Sequence, residues 1–173
     1  MTEELTENSE QSLVKPTEQS PVKKDDKPKR FVEKGRDVIF DNKTRLYWLK
    51  KDSWQDKGKF FNWHEAVDFA AKKNLRKIGG FDDWRLPSID ETTSLFDESC
   101  ENPGKGGVTL HLDPVFPEGA FKSSWAAGDT STRRPKFDYN EGKVVNVEEY
   151  NFGSVRICRK DMVLKSQPPS RRK

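Results

Sequence analysis

Asp83-Trp84-Arg85-Leu86-Pro87-Ser88, running on into Ile89-Asp90-Glu91, is the stretch that decides the fold. Ser88 and Glu91 have the spacing of a capping box, in which a hydroxyl and a carboxylate three residues on satisfy amides at a helix start. Leu86 and Pro87 seat the chain ahead of that start. Trp84 stands beside an Arg–carboxylate pair, a combination that usually fixes a loop-to-helix junction rather than binding a ligand. Asp83, Trp84, Arg85, Leu86, Pro87 and Ser88 are therefore read as a structural signature.

Working outward, Ile89, Thr92, Thr93 and Phe96 share one face of the helix, with Leu95 beside it and an end expected near Glu98. Upstream, Asn62 and Glu65 form a second capping box. Trp63, Ala66, Val67, Ala70 and Ala71 then recur at helical spacing, while His64, Glu65, Asp68, Lys72 and Lys73 face away. Val38-Ile39-Phe40 and Leu46-Tyr47-Trp48-Leu49, separated by Asp41-Asn42-Lys43-Thr44, predict a β-hairpin. Residues 50–59 and 101–119 read as loops, the second long enough to suggest a functional role. A strand is predicted over Lys122–Ala127. Phe137-Asp138-Tyr139 and Lys143–Val147 predict a hairpin, and Ser154–Arg159 an alternating closing strand. Hairpin, helices, long loop and strands in that order make the chain α+β.

All 19 aromatic residues fall between Phe31 and Phe152, so the core must form there. Residues 1–29 are polar and rich in Glu, Lys, Ser and Pro, and residues 161–173 are basic. Both are expected to be disordered tails around a domain at 30–160, because such compositions bury too little apolar surface to offset ordering entropy. The net charge is +3, and the tails account for +1 of it, −2 at the N-terminus and +3 at the C-terminus. A dedicated nucleic-acid binder usually carries a stronger basic bias, so nucleic acid is disfavoured as a partner. No run has the length of a membrane span. The acidic start Met1-Thr2-Glu3-Glu4 lacks a signal peptide's basic and apolar regions. A cytoplasmic location is the expectation. Cys100 and Cys158 have no metal-ligand spacing and read equally as one disulfide or two reduced thiols.

These segments together resemble the Lcl C-terminal domain family. Asp41–Trp48 is similar to its first-hairpin motif, where Gly is usual at the place of Arg45. Asn62–Val67 resembles the opening of its first helix, and Asp83–Ser88 is its most specific signature. Phe137–Val144 and Val155–Arg159 resemble its last hairpin and closing strand. The resemblance implies a C-type-lectin-like fold, with small antiparallel sheets, two helices and a long ligand-presenting loop region. It also implies adhesion roles, with sulfated-glycan binding by trimers in some members, so a homo-oligomer is compatible with it. Thr92 departs from the family's usual apolar residue. Cys158 stands one place from the family's common closing-strand cysteine, which puts any family disulfide in doubt.

Asp138, Asn140 and Glu141 offer oxygen ligands within four residues, but Asn-Glu-Gly between strands is ordinary turn chemistry, and no metal is expected. His64 and His111 fit no nucleophilic arrangement, so neither an enzyme nor a cofactor is expected. The candidate ligand surface spans Ser124–Tyr150 and its neighbour: Trp125, Asp129, Arg133, Arg134, Lys136, Tyr139, Asn146, Tyr150 and Asn151. Aromatic, Arg and amide groups are frequent at recognition surfaces. Arg133, Arg134 and Lys136 are expected to hold sulfate or carboxylate groups. The expected function is a non-catalytic binding module for an anionic glycan or a protein. The alternative is an intracellular scaffold or accessory subunit.

Overall fold

The computed structural model describes residues 28–128 and 133–162, so the expected tails lie almost wholly outside the described residues. In chain order the elements are β1 (Phe31–Lys34), β2 (Val38–Asp41), β3 (Leu46–Leu49), α1 (Ser53–Lys57), α2 (Trp63–Leu75), α3 (Ile89–Thr93), β4 (Asn102–Pro103), β5 (Thr109–Leu110), β6 (Ser123–Trp125), β7 (Arg133–Asp138), β8 (Lys143–Glu148) and β9 (Cys158–Lys160). They make an α+β domain with small antiparallel sheets ordered β1-β2-β3-β9, β4-β5 and β6-β7-β8.

The first sheet divides the core. Ile39, Leu46, Trp48 and Cys158 point to one side, where they meet Leu95, Leu110, Phe116, Phe137 and Tyr139. Val38, Leu49 and Ile157 pack on the other with Ala66, Phe69, Ala70, Trp84 and Trp125. Successive strand residues face opposite sides, and here both sides are covered, so β2 and β3 are apolar almost throughout. In the turn between them Arg45 has φ +59°, the left-handed conformation that Gly adopts without cost. That accounts for the Gly usual at this place. Arg45 is held by an ion pair to Asp161 and by packing of its guanidinium over Phe40 at 4.7 Å.

Three readings change in this half. Residues 50–59 are not simply loop. The Asp52 side chain accepts from the Gln55 amide at 2.8 Å, the Gln55 side-chain oxygen accepts from the Asp52 amide at 2.9 Å, and α1 follows. Helix α2 begins at its Asn62–Glu65 capping box as expected. It buries Ala66, Phe69 and Ala70, however, and turns Val67 and Ala71 outward. Helix α3 has five residues and stops at Thr93. The Ser94 hydroxyl bonds to the Glu91 carbonyl at 2.6 Å, and Asp97 then pairs its amide with the His111 carbonyl at 3.0 Å.

The long loop contains the β4–β5 pair, and β7 starts at Arg133 rather than Phe137. Gly142 closes the β7–β8 turn at φ +66°, where a Cβ would meet Phe96 Cζ at 2.6 Å, so the turn requires glycine. The closing run does not alternate, because Ser154–Arg159 is buried at every position. Only Cys158–Lys160 is regular strand, while Ser154 and Cys158 also bridge to Ser124 and Arg85. Arg156, fully within this run, bonds to the Leu49 and Lys50 carbonyls and packs over Phe116 at 4.5 Å.

The signature residues lock these parts together. Trp84 is 2% exposed, and its indole N–H donates to the Ile78 carbonyl at 3.0 Å. The Asn74 amide clasps the Trp84 backbone through bonds of 2.9 and 2.7 Å, tying the signature to the end of α2. Arg85 and Cys158 exchange backbone bonds of 2.9 and 3.0 Å, which join the signature to β9. The Arg85 guanidinium meets Glu91 through two bonds of 2.7 and 2.8 Å. Asp83 pairs with Arg159, whose guanidinium sits 4.0 Å from the Phe81 ring. Ser88 caps α3 by accepting from Glu91 N, and Pro87 O accepts from Ala127 N at 2.7 Å. Leu86 is buried in the α2-side core.

Cys100 and Cys158 are free thiols. Burial pushes the Cys158 thiol's pKa well up, against the pull of Arg85. Among the described residues, no helix is long and apolar enough to cross a membrane.

Candidate ligand-binding surface

The β7–β8 hairpin carries the chain to Glu149-Tyr150-Asn151-Phe152, which lies against the start of α2. Two backbone bonds of 2.9 Å link Phe61 and Gly153, and Trp63 N donates to Glu149 O at 3.0 Å. This stitching brings the end of β8 and the first turn of α2 to one edge of the molecule.

An aromatic and charged cluster occupies that edge. The Arg134 guanidinium lies 4.3 Å from the Trp63 ring and reaches Glu149 at 3.6 Å. It also donates to Gly128 O at 2.9 Å. His64 packs between Trp63 and Tyr150, with ring centres 5.4 and 5.8 Å away, and its Nε2 is 3.5 Å from Glu149. Tyr150 is 69% and Phe152 63% exposed, so two large aromatic side chains, separated in sequence by Asn151 alone, face solvent. Arg133 is exposed, with Nε 4.0 Å from Glu148. Asn146 and Asn151 are also exposed.

Three expected ligand residues belong to the interior instead. Trp125 is fully buried, and its indole N–H donates to Phe61 O at 2.8 Å. Tyr139 is buried, and its hydroxyl donates to Thr92 O at 3.2 Å. Lys136 is 7% exposed, and its ammonium is spent on Asn151 Oδ1 at 2.8 Å and Phe152 O at 2.9 Å. Burial lowers the Lys136 pKa, against the pull of Asp138. Lys136 supports the Tyr150–Phe152 tip from below. Asp129 lies outside the described residues.

The sequence reading missed Trp63 and His64, which were assigned only to a helix. Their signal is the Asn62 capping box, since residues in a first helical turn stand at an element's end, where other segments gather. The Asp138, Asn140 and Glu141 segment forms a turn. Asp138 Oδ1 accepts from the Asn140 and Glu141 amides at 2.9 and 3.1 Å. Among the described residues no group of three His, Cys, Asp or Glu side chains could hold a metal.

A concavity of about 250 Å³ lies over Phe61 and Phe69, ringed by five cations, Lys57, Lys59, Lys72, Lys73 and Arg76, and by the carboxylates of Glu65 and Asp68. Asp56 is shared by Lys57 and Lys73, at 3.3 and 3.1 Å, and Glu65 pairs with Lys59 at 3.1 Å. The cluster at the α2 start differs from it in presenting the exposed rings of Tyr150 and Phe152, and that makes it the better candidate for ligand contact.

The fold is thus an α+β domain locked by an Asp-Trp-Arg-Leu-Pro-Ser signature between a helix end and the closing strand. The family model for the Lcl C-terminal domain matches residues 37–159, and the chain belongs to that family. No curated protein and no solved structure matches the chain.

Proposed function

We propose that the domain is a non-catalytic binding module of C-type-lectin-like fold that takes an anionic glycan at the edge formed by Trp63, His64, Arg133, Arg134 and Tyr150. A sheet that holds both the first and the last strand, three helices ahead of the long loop and a loop-rich second half are features in keeping with that fold. The observation that carries the binding reading is the exposed Tyr150 ring, packed on His64 beside the Arg134–Trp63 stack. A sugar ring has apolar C–H faces that pack on aromatic rings, and its sulfate or carboxylate groups suit guanidinium donors. Pre-packed aromatic side chains also lose little entropy on binding.

The same exposed pair, Tyr150 and Phe152, favours a second reading. Aromatic anchors beside an Arg also suit a protein partner, in which case the domain serves as a scaffold or accessory subunit. Chromatography on immobilised heparin separates the two. Glycan binding predicts retention that weakens with salt and is lost in Arg133→Ala and Tyr150→Ala, both solvent-facing changes. Absence of retention at low salt, with a protein co-purifying from native extract through Tyr150, would establish the second reading and sink the first.

A further inference from the structure

The apolar residues of α2 exceed what the core uses. Ala66, Phe69 and Ala70 are buried, yet Val67, Ala71 and Leu75 are exposed, Val67 at 40% and Leu75 at 85%. Residues four apart on a helix lie nearly above one another, so these three form one outward stripe. A second stripe runs beside it, one residue on: Asp68, Lys72 and Arg76. All three are exposed. No ion pair within the described residues engages any of them, although the neighbouring Lys73 and Glu65 are both paired. The carboxylate is at the N-terminal end of this stripe and the cations at its C-terminal end.

We infer that this face of α2 docks on a second copy of the chain, helix against helix and antiparallel about a two-fold axis at Ala71. Such an axis sets Val67 against Leu75 of the second copy, twice over. In antiparallel helices the same flanks meet, so Asp68 falls between Lys72 and Arg76 of the second copy. Charges that make no ion pair among the described residues of one molecule then gain a partner across the axis. Ala71 at the crossing lets the helices approach closely, because it carries no side chain beyond Cβ. The stripe is short, so the dimer is weak, in the range of transient interfaces rather than obligate ones. This surface is separate from the ligand edge, and the inference does not depend on what binds there.

Sedimentation velocity of the full chain over about 5 μM to 1 mM tests it, a range that brackets transient association. The wild type is expected to shift from monomer to dimer. Leu75→Glu, at a position too exposed to disturb folding, is expected to weaken the dimer about tenfold or more, as is Asp68→Lys, which places like charges across the axis. The triple exchange Asp68→Lys/Lys72→Glu/Arg76→Glu reverses the stripe and is expected to restore association. A wild type that stays monomeric at about 1 mM in low salt overturns the inference, even if it binds anionic vesicles or another protein through this face. So does a dimer indifferent to both single changes.

Discussion

Replacing Trp84 by Ala removes the indole at the junction of α2, the signature and β9. An aromatic side chain buries about 150–250 Å². At about 25 cal/mol per Å², that is roughly 4–6 kcal/mol of transfer free energy. The Ile78 carbonyl also loses its 3.0 Å donor. Measured Trp→Ala changes in cores cost about 3–5 kcal/mol, since neighbours partly collapse into the space, so about 4 kcal/mol is expected. Domains of this kind have about 5–15 kcal/mol in total, so the variant is left marginal. Its melting temperature should fall by roughly 15 °C, taking about 3–5 °C per kcal/mol for this size. Trp84→Phe keeps a ring and loses the indole N–H, and should cost about 1–2 kcal/mol. Denaturant unfolding followed by far-ultraviolet circular dichroism is the suitable assay, because five Trp residues confuse fluorescence. An unchanged midpoint for Trp84→Ala, together with lost ligand binding, would refute the structural role of the signature and make it a contact site.

Thr92 is fully buried and its hydroxyl has no partner among the described residues, so Thr92→Val should stabilise the domain by about 1 kcal/mol in the same unfolding assay. A clear loss of stability would instead mean that the hydroxyl bonds to an enclosed water. Acid should destabilise the fold through Asp41 and Glu91. Burial works against ionisation of Asp41, but Arg30, Thr44 and the Lys43 amide outweigh it and hold its pKa below the ordinary aspartate range. Bonding to Arg85 holds the Glu91 pKa below the ordinary glutamate range, assisted by the Ser88 amide. The unfolded chain therefore takes up protons first. This stability is complete above about pH 5 and is lost as pH falls through the folded-state pKa values. Unfolding midpoints measured from pH 7 to pH 2.5 should fall along that course, and in Glu91→Gln the fall should be smaller.

Much of the scaffold was legible because it rests on local rules. The β2–β3 hairpin follows from two apolar runs around Asp41–Thr44, and the starts of α2 and α3 follow from Asn62, Glu65, Ser88 and Glu91. Helix α1 rests on the same rule at Asp52 and Gln55, but a polar composition concealed it. The misreadings concern side-chain direction. Val67 and Ala71 are apolar, yet α2 turns them outward, because the inward arc centres on Ala66 and Phe69. Lys136 carries a charge, yet lies under the hairpin, because β7 starts at Arg133 and the pleat turns Lys136 toward Asn151 and Phe152. Trp125 and Tyr139 suit recognition by residue type and are spent on the core. No local pattern could join Trp63 and His64 to Tyr150, since their meeting depends on the link between Phe61 and Gly153.

The pairing of β3 with β9 also sets a timetable for the chain. Leu46 finds its partner at Lys160, and Arg85 finds Cys158, so the principal sheet is closed by nearly the last residues of the domain. Long-range pairing of this kind must meet the entropy of closing a large loop before any contact repays it. During synthesis, β1, β2 and β3 are complete long before β9 exists, and the β3 edge stays open in the interval. Such an edge can recruit another strand, which makes the nascent chain the form most exposed to mispairing. Shortening the chain ahead of Cys158 would make that interval permanent.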